Sequence, residues 1–174
     1  METPPLALYV HFPWCVRKCP YCDFNSHEAH GGIPESDYLA ALIADLDAAL
    51  PLLEGRACVS VFFGGGTPSL MAAETVAGLL AACRQRRLFA ADAEITLEAN
   101  PGTVEAAKFA GFRAAGVNRL SLGIQSFDDA KLEALGLILP KAVRPPAGVV
   151  LPFKLVRVLG TRAYVSGHGP LNAD

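Results

Sequence analysis

The chain has 174 residues, 52% of them hydrophobic and 18% charged, with a formal net charge of −2. That balance suits one ordinary domain with a buried core and excludes intrinsic disorder. It also leaves no electrostatic drive toward nucleic acid or an anionic membrane surface. The opening Met1-Glu2-Thr3-Pro4-Pro5 lacks the basic start of a secretory signal, and the apolar run behind it stops at His11. No apolar stretch is long enough to span a bilayer. Of five cysteines, three crowd into residues 15–22. This is a poor disulfide framework and a good metal site, so a cytoplasmic location is expected.

In chain order, the first apolar run, residues 6–12, reads as a strand. A cysteine-bearing loop follows. Ser36 is placed to cap a helix whose apolar stripe is Leu39, Leu42, Ile43, Leu46 and Leu50. A second strand is expected over 57–63, a helix over 72–86, a third strand over 93–99 and a helix over 104–115 stopped by Gly116. A fourth strand over 118–125 leads to a helix starting near Asp128. Strand and helix alternate four times, the signature of a parallel sheet or barrel.

Each strand has one apolar face: Leu6, Leu8, Val10; Val59, Val61, Phe63; Ile95, Leu97; Leu120, Leu122, Ile124. The other carries Tyr9 and His11, Ser60, Thr96 and Glu98, then Ser121, Gly123 and Gln125. A doubly wound sheet buries both faces and reads apolar throughout, so the polar face favours a barrel interior. Its polar residues gather at the C-terminal strand ends, where such barrels place their chemistry.

Beyond Gly136 the character changes. Residues 136–174 hold five basic residues and one acidic, with Pro140, Pro145, Pro146 and Pro152 breaking any helix. An apparent hairpin follows over 153–159 and 163–166, around Gly160-Thr161.

Cys15-Val-Arg-Lys-Cys19-Pro-Tyr-Cys22 is a C-x3-C-x2-C motif directly after the first strand. Three thiolates on a four-iron cubane leave one iron without a protein ligand, open to chelate the amino and carboxylate groups of S-adenosylmethionine (SAM). The alternative is a zinc knuckle with His11, His27 or His30 as fourth ligand, although zinc usually takes paired C-x2-C units. Cys58 and Cys83 read as ordinary buried thiols, distant from each other and from the motif. His27 and His30 read as solvated, and His11 points inward.

The second strand ends in Gly64-Gly65-Gly66-Thr67-Pro68. Three glycines offer bare backbone to a ligand, while Thr67 suits a helix N-cap and Pro68 the first helical position. The segment is neither a dinucleotide fingerprint nor a P-loop. Glu98 and Gln125 occupy inward positions at strand ends. An inward carboxylate needs a donor; a ligand's hydroxyl or amino groups would serve, and so would Arg119.

Taken together, Tyr9-Val-His-Phe-Pro-Trp-Cys15, Cys19-Pro-Tyr-Cys22-Asp-Phe, the Gly-Gly-Gly-Thr-Pro loop, Glu98-Ala-Asn-Pro101 and Arg119-Leu-Ser-Leu-Gly-Ile-Gln-Ser-Phe127 resemble the radical SAM family. Within it, the likeness is to the oxygen-independent coproporphyrinogen III oxidase branch. The resemblance covers about residues 5–136. It implies an α/β fold, an incomplete radical SAM (βα) barrel with four βα units of an expected six. It implies a [4Fe–4S] cluster on Cys15, Cys19 and Cys22, and SAM held by Tyr9, Tyr21, Gly65, Gly66, Thr67, Glu98 and Gln125.

True oxidases of that branch carry a further cysteine where this chain has Phe24. The Cys-Asp-Phe-Asn version resembles the heme chaperones of the HemW type, which implies heme as a ligand, a heme-acceptor protein as partner and an electron donor such as flavodoxin or ferredoxin. The alternatives are a coproporphyrinogen oxidase and an inactive truncated fusion. Two departures bear on the last: Leu137 stands where the family has an arginine after Ala-Leu-Gly, and the fifth and sixth βα units are missing. Residues 1–136 are therefore expected to form a truncated radical SAM core. Residues 137–174 are expected to be a non-homologous tail of loop plus β-hairpin, resembling the start of RidA (YjgF)-like imine deaminases.

Overall fold

The computed structural model describes residues 4–19, 21–100, 106–123, 125–126, 130–131, 156–159 and 162–165. Strand β1 (Leu6–Phe12) runs into a two-residue strand β2 (Trp14–Cys15), which pairs with β3 (His27–Glu28) across the cysteine loop. Helix α1 (Glu35–Ala49) and a short 3-10 turn (Leu50–Leu53) lead to β4 (Cys58–Gly65). Helix α2 (Ala73–Gln85), β5 (Phe89–Ala99), α3 (Ala106–Ala115) and β6 (Arg119–Leu122) complete the alternation. The main sheet is parallel in the order β1-β4-β5-β6. Strands laid down in sequence order, with a helix after each of the first three, make an arc of barrel; a doubly wound sheet would reverse order at a switch point.

The core lies between sheet and helices. Val10, Phe12, Val61, Phe63, Ile95 and Leu97 from the strands meet Leu79, Leu80 and Phe112 from the helices, with Phe12, Phe63, Leu97 and Phe112 wholly buried. The opposite face carries the expected polar residues. Thr96 on it is also wholly buried, donating to Glu94 Oε1 at 3.0 Å and accepting from Arg119 at 3.2 Å.

Three local expectations change. Val59 is exposed, and Cys58 takes the core position instead. The register of β4 slips against β1, where Leu6 pairs with Cys58 and Ala7 with Ser60, so Val59 is the extra residue of a bulge and the alternation shifts by one below it. Ser36 is the second residue of α1, not its cap; Pro34 stands at that position with no side-chain capping bond. The adjacent Glu35 instead reaches across to α2, accepting from the Ala72 amide at 3.0 and 2.9 Å and from the Thr75 hydroxyl. A carboxylate from one helix thus caps the N-terminus of the next, where Ala72 has no side chain to do so. Thr67 and Pro68 do begin a helical turn, but it is a single 3-10 turn (Pro68–Leu70) ahead of α2.

Cys58 and Cys83 are both buried in the same part of the core, not far apart. The Cys58 amide bonds Leu88 O at 2.7 Å and the Leu88 amide bonds Cys83 O at 3.1 Å. Burial, then the Cys58 charge, pushes the Cys83 thiol up to about 11. The tail hairpin is present as β7 (Val156–Leu159) and β8 (Arg162–Val165), antiparallel. The expected helix start at Asp128 and the junction at 136–137 lie outside the described residues. Among the described residues, no helix is long and apolar enough to cross a membrane.

Candidate functional site at the strand ends

The C-terminal ends of the four parallel strands lie together, and each carries one of the sequence motifs. Cross-links knit them. Gly66 N donates to Phe12 O at 2.6 Å, Asn100 Nδ2 to Thr67 Oγ1 at 3.4 Å, and Gly123 N to Ala99 O at 3.0 Å. Parallel strands deliver their ends to one side by construction, so motifs far apart in sequence meet there.

Of the three motif cysteines, Cys15 is buried, while Cys19 and Cys22 are half-buried. The Cys22 amide closes a turn onto Cys19 O at 3.0 Å. Burial, then a hydrogen bond with Cys19 and the charges of Cys19 and Cys22, pushes the Tyr21 phenol up to about 12. Two thiols therefore flank Tyr21. The third lies against the glycine loop, since a Cβ on Gly66 would sit 3.0 Å from Cys15 Sγ. Three soft thiol donors on one loop with a side-chain-free floor suit an iron–sulfur group held by thiolates. Among the described residues, no group of three or more His, Cys, Asp or Glu is gathered tightly enough to hold a single metal ion.

Tyr9 and Glu98 share the interior face. The Tyr9 phenol is raised, first by burial and then by the Glu98 charge. Arg119 is held two residues lower on β6, by Glu94 at 3.4 Å and Thr96 at 3.2 Å. Gln125 adopts a left-handed backbone (φ 63°), and its Nε2 would lie 3.1 Å from a Cβ at Gly123. Leu137 lies outside the described residues.

The glycine loop differs from expectation. Its backbone is not bare: the amides of Gly66 and Thr67 donate to Phe12 O and Trp14 O, at 2.6 and 2.8 Å. Close packing onto the cysteine loop is what requires glycine here.

Several residues support the site without belonging to the expected ligand set. His11 Nε2 donates to Asn25 O at 2.8 Å, and its Nδ1 takes the Tyr9 hydroxyl at 3.2 Å, so both ring nitrogens are engaged. That leaves His11 unsuited as a fourth zinc ligand. His27 and His30 are exposed, as expected. Lys18 Nζ donates to Phe24 O at 3.3 Å and Ser26 O at 3.2 Å, and the Lys18 amide to Glu28 Oε1 at 3.0 Å. Ser26 is buried beside Cys22, 3.6 Å from its sulfur. Tyr38 donates to His11 O at 2.8 Å and stands edge-on to Phe12 and Trp14, at 5.7 and 5.1 Å. A Cys-Asp-Phe-Asn run could hint that Asn25 belongs to the site, but a tyrosine twenty-seven residues away on a helix leaves no such trace.

Comparison with known proteins places this arrangement. The radical SAM superfamily profile matches residues 9–146. The chain is 49% identical over 164 residues to a protein named heme chaperone HemW from Escherichia coli, covering 94% of this chain and 42% of that protein. It is 55% identical over 141 residues to the HemW of Haemophilus influenzae, covering 79% and 37%. A bovine mitochondrial protein, radical S-adenosyl methionine domain-containing protein 1, is 48% identical over 130 residues, covering 75% and 29%. Among solved structures, E. coli coproporphyrinogen III oxidase (HemN), described as a radical SAM enzyme, superposes with a TM-score of 0.69 at 33% identity, covering 78% of this chain and 31% of that one. The chain thus spans less than half the length of the relatives it matches.

Proposed function

The chain belongs to the radical SAM superfamily, and from that premise we propose that it is the cluster- and SAM-binding core of a HemW-type heme chaperone. The observation that carries this is its 49% identity, across 94% of its length, to a protein named heme chaperone HemW. Phe24, 58% exposed just beyond the third cysteine, supports it, because the oxidase branch carries a cysteine there.

In this reading Cys15, Cys19 and Cys22 hold a [4Fe–4S] cluster. Tyr9, Tyr21, Gly65, Gly66, Thr67, Glu98 and Gln125 line the SAM site. The bound cluster supplies an electron for reductive chemistry on SAM. The chain's own task would be to fix the three thiolates and to present Glu98 and Tyr9 to polar groups of the nucleoside. Heme and a heme-acceptor protein are the proposed partners, a low-potential flavodoxin or ferredoxin the proposed electron donor, and the cytoplasm the proposed location.

The structural likeness to coproporphyrinogen III oxidase favours a second reading, decarboxylation of that porphyrinogen. Anaerobic reconstitution tests both. The expected product holds about four iron and four sulfide per chain, loses them in Cys15→Ala, Cys19→Ala and Cys22→Ala, and keeps them in Cys58→Ala and Cys83→Ala. It is expected to bind heme and to yield no protoporphyrinogen. Stoichiometric zinc without sulfide would overturn the radical SAM site, and decarboxylation with SAM and reductant would shift the assignment to the oxidase.

A further inference from the structure

Four consecutive carbonyls lead into the first thiol, and all four are bonded. Phe12 O accepts from Gly66 N (2.6 Å), Pro13 O from His27 N (2.7 Å), Trp14 O from Thr67 N (2.8 Å) and Cys15 O from Ala29 N (2.9 Å). Bonds alternate between two edges, the glycine loop on one side and the returning strand β3 on the other. Cys15 therefore sits on a strand two residues long that is gripped from both sides.

The glycine loop can lie this close only without side chains. A Cβ on Gly66 would run into the Trp14 carbonyl oxygen and come within 3.0 Å of Cys15 Sγ. At Gly65, whose φ is +114°, a Cβ would meet Phe12 O at 2.6 Å. Both obstacles are backbone and cannot rotate away. Gly64 differs: its Cβ would meet only ring atoms of Phe62 (2.8 Å) and Tyr9 (3.0 Å), the far ends of side chains.

We infer that Gly66 is a positioning residue for the first cluster thiolate: it lets the glycine loop clamp the Trp14–Cys15 backbone and so presets Cys15 Sγ before any cluster is present. This rests on the proposed cluster site and deepens it. The amides of Gly66 and Thr67 belong to that clamp and are not the donors offered to SAM.

The test uses the full chain in two measurements. In the first, wild type, Gly66→Ala and Gly64→Ala are reconstituted anaerobically, with circular dichroism confirming the fold. Gly66→Ala is expected to retain iron against a chelator about tenfold less well, as loss of outer support for a ligand does. The electron paramagnetic resonance (EPR) signal of its reduced cluster should be altered. The emission of Trp14, the only tryptophan, should shift in the metal-free variant. Gly64→Ala is expected to keep wild-type iron and sulfide. If Gly66→Ala carries full iron and sulfide with an unchanged EPR signal and loses only SAM affinity, its role is SAM contact alone and the inference falls. It falls equally if Gly64→Ala loses the cluster to the same degree.

The second measurement needs no variant. Amide hydrogen exchange in metal-free wild type should find Gly66 and Thr67 protected before SAM is added. Free exchange at both, with protection appearing only on SAM binding, would overturn the clamp even if Gly66→Ala does not fold. Failure of wild type to take up iron and sulfide would instead defeat the proposed function, leaving the exchange result to decide the clamp.

Discussion

The two halves of the cysteine loop are built differently. The inner half, residues 12–15, is backbone bonded to backbone on both edges, with Phe12 and Cys15 buried and Trp14 and Tyr38 packed edge-on beside them. The outer half, residues 16–26, exposes Val16, Tyr21 and Phe24 and leans on side chains: the Lys18 ammonium, the Ser26 hydroxyl and the Glu28 carboxylate. One thiol is thus held by the fold itself and two by an adaptable arc. For the proposed cluster, a fixed anchor beside two less constrained ligands would suit uptake by the folded chain.

The comparison breaks most clearly at two phenylalanines. Phe12→Ala removes a wholly buried ring and is expected to cost about 3–5 kcal/mol in urea unfolding, whereas Phe24→Ala should change stability by less than about 0.5 kcal/mol. Similar losses at both sites would mean the outer arc is as firmly packed as the inner strand.

Tyr38 sharpens it further. Its hydroxyl holds His11 O, so Tyr38→Phe should cost about 1 kcal/mol. Burial, then the Tyr9 charge, pushes its phenol up to about 12. An acid with a raised folded-state value stays neutral in the fold while the unfolded chain ionises. Its contribution is therefore complete below about 10 and is lost as pH rises toward about 12. Unfolding measured across that window should show a fall in wild type that is shallower in Tyr38→Phe. Tyr21, also raised to about 12, would keep part of the slope.

The smallest effect on stability is expected in the outer arc. Lys18→Met removes two bonds from an exposed ammonium, worth less than about 1 kcal/mol together. The unfolding midpoint should barely move, while cluster loss to a chelator should quicken about two- to tenfold. Lys18→Arg is expected to restore retention in part. A large stability loss with normal cluster retention would contradict the division between the halves.

Much of the frame was legible before any coordinates. Period-two alternation marked all four strands because each buries one face, and β1 matches at both ends. The slip at Val59 was not legible, since a bulge is set by pairing with β1 and leaves no local signature. Glu35 was overlooked beside Ser36 because a cap supplied by another helix has no fixed sequence spacing. Glu98 and Tyr9 were readable as inward-facing, while the assignment of Arg119 to Glu94 and Thr96 depended on strand register.

Chemical identity was local. Three cysteines at a ligand spacing, a glycine run and strand-end polar residues name the kind of site because each depends on residue type at short range. What the glycines do was decided by tertiary structure alone. Bare backbone can face a ligand or another segment of chain, and composition is the same in both cases. Only the parallel pairing of β1 with β4, bringing Phe12 opposite Gly65, sets the loop against Trp14 and Cys15. The nearest partner of an unhindered backbone is chosen by packing between segments some fifty residues apart, which no local pattern encodes.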